Sequence, residues 1–175
     1  AIRNAAGPMD YTPGAMLCAQ PDCYSSRRPN SASIGTRAYQ MALYVVFESN
    51  LQMLADNPTL YNMYPDCRDY IASCPVNWDE TRVLAAEFGE YTIVARRSGN
   101  KWYIGGITNE TARDIDVKLD FLAEGLSYNA TSFTDGINSS VQAMDYRKES
   151  TRLSRNNTIR IHMVRNGGYA AVLEP

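Results

Sequence analysis

Hydrophobic residues follow two different spacings in the two parts of the chain. From Ile34 to about Asp56 they recur at helical intervals, and the stretch from Met41 to Phe47 contains no charge. A helix that is apolar on nearly every side is one that is buried on every side. We therefore predict a long buried helix here, with Ser33 as its N-cap. Asn57-Pro58 ends it, because the residue before a proline is pushed out of helical geometry.

Two shorter helical segments are predicted before the pattern changes. Thr59–Tyr64 reads as a helical turn, and Pro65–Ser73 as a helix that begins with proline at its first position. Cys74-Pro75 stops that helix. The residues before Ile34 are rich in proline, glycine and serine, and Ser25–Ser31 reads as an exposed loop.

After Pro75, apolar and polar residues alternate, which is the pattern of half-buried strands. Ser98–Lys101 predicts a hairpin turn, Gly167-Gly168 a second one, and Asp135 opens a polar loop that lasts to about Lys148. Short strands joined by hairpins predict an antiparallel sandwich or barrel. The fold class is therefore α+β, a helical segment followed by an antiparallel β-sandwich of about eight strands. We place these strands at about 80–88, 90–98, 101–108, 112–120, 127–134, 149–154, 158–164 and 168–173.

The long apolar helix raises the question of what covers it. The residues that precede it are mostly loop-like, and the β-rich part reads as a module that could fold alone. We therefore expect the helix to pack against walls that are outside this chain. The predicted organisation is a helical part at residues 1–75, which belongs to a larger domain, and a β-sandwich at residues 76–175.

Composition excludes several classes of protein. The chain has 175 residues, of which 45% are hydrophobic and 21% charged, with a net charge of −2. Nucleic-acid-binding domains usually carry a basic excess, so no nucleic-acid partner is expected. No apolar run approaches the roughly 20 residues needed to cross a bilayer, so no membrane span is expected.

The cysteines leave the redox compartment open. Cys67 and Cys74 lie seven residues apart in a predicted helix, about 10 Å along its axis, which is too far for a disulfide. We expect them to be free thiols. Cys18 and Cys23 either pair within their loop or stay free. His162 is the single histidine, and neither cysteine pair has metal-ligand spacing, so no metal site is expected in this chain.

Short blocks along the whole chain carry a family resemblance. In order they are Gly7–Gly14, Gly35–Ser49, Leu51–Asp56, Trp78–Leu84, Gly89–Arg97, Thr111–Asp114, Phe133–Asn138, and Ile161–Met163 with Gly167–Ala171. Together they closely resemble the C-terminal third of glycoside hydrolase family 97, whose members include bacterial α-glucosidases and α-galactosidases. So many blocks in the same order are not expected by chance.

The resemblance implies a place for this chain in a three-part protein. Such proteins have an N-terminal β-sandwich, a catalytic (β/α)₈ barrel and a C-terminal antiparallel β-domain that serves packing and oligomerisation. Residues 1–14 then correspond to the end of the last barrel strand, 34–74 to the closing barrel helices and 80–175 to the C-terminal domain. The implied partners are the remainder of the barrel, further copies of the chain, and an oligosaccharide substrate. The implied location is periplasmic or secreted.

The resemblance also implies that the catalytic groups are elsewhere. The family's catalytic carboxylates, and the glutamates that commonly bind a calcium ion beside them, precede the block Gly7–Gly14. Only nine residues precede Asp10 here, and none of them is acidic. We therefore expect no catalytic residue, no metal ligand and no cofactor in this chain, which alone should not hydrolyse glycosides.

The candidate substrate-binding residues are Met9, Asp10 and Tyr11. By the resemblance they lie where the last barrel strand ends, and the C-terminal ends of barrel strands carry the active sites of such folds. The Asp10 carboxylate could accept hydrogen bonds from sugar hydroxyls, with Met9 and Tyr11 as apolar walls. The alternative is that Asp10 only caps the turn that follows it.

Several other residues have a functional and a structural interpretation. Trp102, Tyr103 and Tyr91 could form an aromatic platform for sugars, although such residues more often fill a sandwich core. Trp78 is expected to be a hydrophobic peg at the entry to the β-domain. Arg37 is expected to form a structural ion pair with a carboxylate of the barrel.

Three hypotheses for the whole chain remain. The first is a C-terminal fragment of a hydrolase of α-linked glycosides. The second is an interaction module that mediates oligomerisation or binds glycans without catalysis. The third is a complete, unrelated β-protein whose helix packs on its own sandwich.

Overall fold

The computed structural model describes residues 7–26 and 32–175, which contain three α-helices and ten strands. The first six residues and part of the predicted loop Ser25–Ser31 lie outside this description. The helices are α1 (Arg37–Val46), α2 (Pro58–Met63) and α3 (Pro65–Ser73). The strands are β1 (Cys18–Ala19), β2 (Ser33–Ile34), β3 (Glu80–Glu87), β4 (Tyr91–Ser98), β5 (Lys101–Thr108), β6 (Arg113–Lys118), β7 (Ser127–Asp135), β8 (Tyr146–Ser154), β9 (Thr158–Met163) and β10 (Gly168–Glu174).

The strands form an antiparallel sandwich, as the sequence predicts. Six of them make one sheet in the order β3-β4-β5-β10-β7-β8, and β6 and β9 form a two-stranded sheet. β1 and β2 make a separate short parallel pair. The core between the two larger sheets contains alternate residues of the strands, including Ile93, Trp102, Ile104, Ile161 and Leu173. Period-2 alternation produces this core because successive side chains of a strand point to opposite faces.

The long helix is shorter than predicted. α1 runs from Arg37 to Val46, and its N-cap is Thr36, whose hydroxyl accepts a hydrogen bond from the Tyr39 N–H at 3.1 Å. Ser33 lies in β2 instead. Beyond Val46 the backbone becomes extended, so the predicted continuation to Asp56 was wrong.

The chain after Val46 leaves the helix because its backbone groups find tertiary partners. The Met53 N–H donates to the Tyr11 carbonyl at 3.2 Å, and the Ala55 N–H donates to the Pro13 carbonyl at 3.1 Å. Gln52 pairs with Tyr11 in a parallel bridge. Apolar spacing alone could not reveal this pairing, since it joins segments about 40 residues apart.

The expectation that α1 needs walls from outside the chain was also wrong. Val45 and Val46 pack against Val94 and Tyr103 of the large sheet. Met41, Ala42 and Tyr44 pack in a second cluster with residues of α2, α3, β7 and β10. The second face of the β-sheet supplies most of the cover, because the helix lies over β5 and β10. The helix packs on its own sandwich, as the third hypothesis proposed.

Glycines allow the close approach of the helix to the sheet. A Cβ at Gly105 would lie 2.8 Å from the Val45 Cβ and 2.9 Å from the Ala42 carbonyl oxygen. A Cβ at Gly168 would lie even closer to the backbone at the start of α1. Because glycine has no side chain, the helix backbone can lie directly on the strands at these two points.

Candidate functional site

The segment that contains the predicted substrate-binding residues crosses the outer side of α1. α1 lies between this segment and the large sheet, because its Ala42 and Val45 face Gly105 while its Leu43 and Tyr44 face residues 11–13. The Met9 N–H donates to the Glu48 carbonyl at 3.3 Å. The segment is therefore attached to the body of the protein on both sides of Asp10.

Tyr11 anchors the segment through both its ring and its hydroxyl. The hydroxyl donates to the Leu43 carbonyl at 2.9 Å, and the ring meets Phe47 edge to face at 5.5 Å. Burial raises the pKa of Tyr11 well above its ordinary value, although the charge of Arg96 partly opposes this rise. The hydroxyl is thus used in a hydrogen bond to the helix, and only the half-buried ring is placed to contact a sugar.

Asp10 and Met9 have different surroundings. Met9 is half-buried, whereas Asp10 is exposed. Within the described ranges 7–26 and 32–175, the Asp10 carboxylate makes no hydrogen bond or ion pair. No hydrogen bond of the Asp10 side chain to the described residues therefore supports the interpretation that Asp10 caps the turn. Contact with sugar by Met9, Asp10 and Tyr11 stays a prediction.

The next residues are fixed by a buried hydrogen-bond network that the sequence did not indicate. Gly14 has a φ of +84° and its N–H donates to Gln40 Oε1 at 3.2 Å. The Tyr61 hydroxyl donates to the Gly14 carbonyl at 2.9 Å, and the Tyr44 hydroxyl lies 3.1 Å from the Pro13 carbonyl. Buried polar groups that satisfy each other define one arrangement of the backbone. This network holds the segment after Tyr11 rigidly against α1.

We expect Tyr44→Phe to lower the free energy of unfolding by about 1–2 kcal/mol. The Met53 carbonyl, 3.2 Å from the hydroxyl, loses its donor, and the Pro13 carbonyl keeps only the Ala55 N–H. Urea unfolding followed by circular dichroism measures this. Tyr24→Phe is the matched control, since Tyr24 is exposed, and it should change the stability by less than about 0.5 kcal/mol. Equal effects of the two substitutions would show that the Tyr44 hydroxyl is not structural.

Arg37 is buried, but not in the ion pair that was expected. Its Nε and Nη2 both donate to the Met16 carbonyl, at 3.2 and 2.7 Å. Its guanidinium lies 3.8 Å from the centre of the Tyr64 ring and 5.2 Å from that of Tyr146. A cation stacked on aromatic rings is stabilised by their quadrupoles. Arg37 thus links Met16 to α1 through hydrogen bonds to a backbone carbonyl, not through an ion pair with a carboxylate.

Several exposed apolar side chains lie in or beside the clefts along this segment, and we call this surface the segment face. Two clefts flank it, one of about 410 Å³ beside Tyr11 and Phe47, and one of about 460 Å³ beside Tyr44 and Tyr61. Scattered exposed apolar residues are normal, but a contiguous group usually marks an interaction site. The exposed members of the segment face are Ile34, Leu51, Met53, Leu54 and Val76.

The proposed glycan platform is not formed. Trp102 and Tyr103 are buried in the protein, and Tyr91 packs partly against the core. Trp78 meets the Tyr103 ring edge to face at 5.3 Å, consistent with a peg at the entry to the β-domain. These aromatic residues therefore have structural roles.

Three of the four cysteines are buried or half-buried, and Cys23 is exposed. All four cysteines are free, including Cys18 and Cys23. Burial raises the pKa of Cys18 and of Cys74 to about 12, so these thiols stay protonated at neutral pH. Among the described residues, no group of three or more His, Cys, Asp or Glu side chains is arranged to hold a metal ion.

His162 lies on the exposed side of β9, where its Nδ1 is 2.9 Å from Asp114 Oδ1 on β6. This contact joins the two strands of the smaller sheet. No helix in the described part of the chain is both long and apolar enough to cross a bilayer.

These features by themselves define a class of protein. The chain is an antiparallel β-sandwich that carries a helical layer on one sheet and, beyond that layer, a rigid strand-like segment with an apolar surface. This architecture defines the class, a β-sandwich domain with an added helical layer.

Comparison with known proteins identifies the family. A profile described as "Glycosyl-hydrolase 97 C-terminal, oligomerisation" matches residues 77–174. The chain is 45% identical over 169 residues to the retaining alpha-galactosidase of Bacteroides thetaiotaomicron, covering 97% of this chain and 25% of that protein. It is 34% identical over 170 residues to a probable retaining alpha-galactosidase of Streptomyces bingchenggensis, covering 97% and 24%.

The solved structures agree with this result. A glycoside hydrolase family 97 enzyme from a Pseudoalteromonas species, solved in complex with acarbose, superposes with a TM-score of 0.86 at 32% identity over 98% of this chain and 27% of that one. The chain belongs to glycoside hydrolase family 97 and contains its C-terminal oligomerisation domain. It spans about a quarter of the length of the curated relatives that it matches. The resemblance read from the sequence blocks is confirmed, and the hypothesis of an unrelated protein was wrong.

Proposed function

We propose that this chain is the C-terminal part of a retaining glycoside hydrolase that cleaves α-galactosides. The observation that carries the proposal is the 45% identity to a retaining alpha-galactosidase across almost the whole chain. The second curated relative bears the same activity in its name. Of the two sugars that the family resemblance implied, galactose is therefore favoured over glucose.

In this proposal the chemistry takes place in the barrel that precedes the chain. Glycoside hydrolysis ordinarily needs two carboxyl groups, one on each side of the scissile bond. Asp10 is the one carboxylate on the segment 7–16, so the segment by itself lacks such a pair. The catalytic carboxylates, and a calcium ion held by glutamates beside them, would belong to the upstream part. A periplasmic or secreted location remains part of the proposal.

The segment face is the surface that would join the chain to the barrel. Its exposed apolar side chains lie beside the strand-like residues 9–13, where a neighbouring barrel strand would continue the pairing that Tyr11 makes with Gln52. Burial of these side chains would contribute roughly 25 cal/mol per Å² of apolar area. With the barrel in place, Met9, Asp10 and Tyr11 would stand at the rim of the active site and contact the substrate.

Assembly into a homo-oligomer is the second part of the proposed function. The matched domain is described by its role in oligomerisation, and it covers all strands from β3 to β10. A further copy of the same chain is therefore the expected partner of the β-sandwich.

Activity assays test the hydrolase assignment. The 175-residue chain should release no nitrophenol from nitrophenyl α-galactoside above the uncatalysed rate, whereas a longer protein that includes the upstream barrel should hydrolyse it. The α-glucoside serves as the control substrate and should be turned over more slowly by the longer protein. Hydrolysis by the 175-residue chain, or a preference for the glucoside in the longer protein, would contradict the proposal.

A further inference from the structure

An apolar strip lies on the outer edge of the large sheet, away from the segment face. Its members are Val83, Ala86 and Phe88, and we call it the β3 strip. Val83 and Phe88 are among the most exposed large apolar residues of the described chain, at 66% and 76%. Large apolar groups side by side on a strand edge invite association with another surface.

A β-bulge produces this strip. The pairing of β3 with β4 shifts register between Val83 and Ala85, so that both Leu84 and Ala85 pack toward the sandwich core. Val83 is opposite Val94, a residue that packs against α1, and therefore points to the helix side of the sheet. Ala86 is opposite Thr92 on that same side. Without the bulge, strict alternation would direct Ala86 to the face opposite to that of Val83, and the strip would not form.

Helix α1 leaves this edge of the sheet open. It lies mainly over β5 and β10 and extends only in part over β4. Beside the strip there is a cleft of about 660 Å³ between the helix and the strand edge. Its walls include Tyr39 of α1, Ala86 and Phe88 of the strip, and Ile107 of β5. The projecting side chain of Phe88 and a cleft thus lie next to each other on one surface.

This arrangement suits a second copy of the chain better than an unrelated partner. In a twofold-symmetric dimer the same patch meets itself, so a side chain that projects from the patch needs a recess in that same patch. The β3 strip and its cleft offer both. They also lie within residues 77–174 apart from Tyr39, the part of the chain whose family description is oligomerisation.

The barrel is a less suitable occupant for this surface. The segment that leads to the upstream part crosses the opposite side of α1, where the segment face already offers exposed apolar residues. The β3 strip is separated from that face by the helix layer.

We propose that two copies of this chain associate through the β3 strip, with Phe88 of each copy inserted into the cleft between α1 and β3 of the other. This inference rests on the proposed function, because it specifies the surface of the expected homo-oligomer. The interface forms around a central aromatic anchor, the type of residue that usually dominates binding energy.

Analytical ultracentrifugation of the 175-residue chain tests the inference. Phe88→Asp should raise the dimer dissociation constant at least about 30-fold, the loss typical of a central anchor. Val83→Lys should weaken the dimer as well. Ile137→Asp is the matched control, because Ile137 is 94% exposed in the loop between β7 and β8 and lies away from the strip. All three positions are exposed, so circular dichroism should show an intact fold.

Photo-crosslinking identifies the contact directly. With p-benzoylphenylalanine at position 88, crosslinks should join two chains and map to peptides that contain Tyr39 or Ile107. A wild-type chain that is monomeric would refute the homo-oligomer itself. A stable oligomer that survives Phe88→Asp, or that crosslinks elsewhere, would refute only this surface. In the longer protein, a crosslink from position 88 to its own barrel would likewise overturn the inference.

Discussion

Gly168→Ala is expected to lower the free energy of unfolding by about 3 kcal/mol, at the upper end of the usual cost of overpacking. A Cβ at this position would lie 2.4 Å from the Tyr39 Cα and 2.6 Å from its nitrogen. The obstacle is helix backbone, which cannot rotate away as a side chain could. The start of α1 is also fixed, since the Thr36 N–H donates to the Asn166 carbonyl at 2.9 Å. Urea unfolding followed by circular dichroism measures the loss.

Gly99→Ala is the matched control for this substitution. Gly99 has a φ of +59°, and a Cβ added there would have no heavy atom within 4 Å beyond its chain neighbours. Alanine at this position therefore costs backbone strain alone, about 1 kcal/mol. If both variants unfolded at the same urea concentration, the close contact between α1 and β10 would not be the feature that Gly168 protects.

The second large effect is a pH dependence that Asp135 imposes on stability. Asp135 is buried at the end of β7, and burial raises its pKa to about 6. Hydrogen bonds oppose the rise only in part: Oδ2 accepts from the Val164 N–H at 2.9 Å and from the Gly168 N–H at 3.2 Å. Oδ1 is buried without a hydrogen-bond partner. The ionised form is thus poorly stabilised in the folded protein.

The sign of the effect follows from proton linkage. In the unfolded chain the carboxyl has its ordinary pKa of about 3.9. Between about pH 4 and 6 the folded protein therefore holds a proton that the unfolded chain has released, and stability falls as the pH rises through this window. A difference of about two pKa units corresponds to roughly 3 kcal/mol. The stabilising contribution of protonated Asp135 is complete below about pH 4 and lost above about pH 6.

Asp135→Asn isolates this contribution, because the amide stays neutral and keeps an oxygen for the Val164 and Gly168 N–H groups. Other carboxylates titrate in the same range, so the quantity to follow is the difference in unfolding free energy between the variant and the wild type. This difference should change by about 3 kcal/mol in favour of the variant from about pH 4 to pH 7. A constant difference over that range would mean that Asp135 does not carry a raised pKa.

Much of the fold could be read from the chain. Turn residues such as Gly99 and Gly167 divide the second part into segments whose alternation matches strands β3 to β10, and Pro65 marks the first residue of α3. These signals are local, since a turn, a proline and a period-2 pattern act within a few residues. These local signals can therefore be interpreted without the tertiary structure.

The failures came from contacts between distant parts of the chain. The end of α1 is set by the pairing of Tyr11 and Pro13 with residues 53 and 55, and its burial by a sheet formed more than 40 residues later. The network of Gln40, Tyr44 and Tyr61 around the candidate site has no local signature. The β-bulge that exposes Phe88 is likewise a property of strand register.

The family, the α+β class and the positions of the strands along the chain were accessible from the amino-acid sequence, because motif blocks and local backbone preferences depend on residues close together in sequence. Three further features emerged only from the folded chain: where the apolar helix ends, what covers it, and which apolar surfaces remain open for the barrel and for a second copy. Burial and hydrogen-bond pairing depend on which surfaces meet, and residues far apart in sequence supply those surfaces.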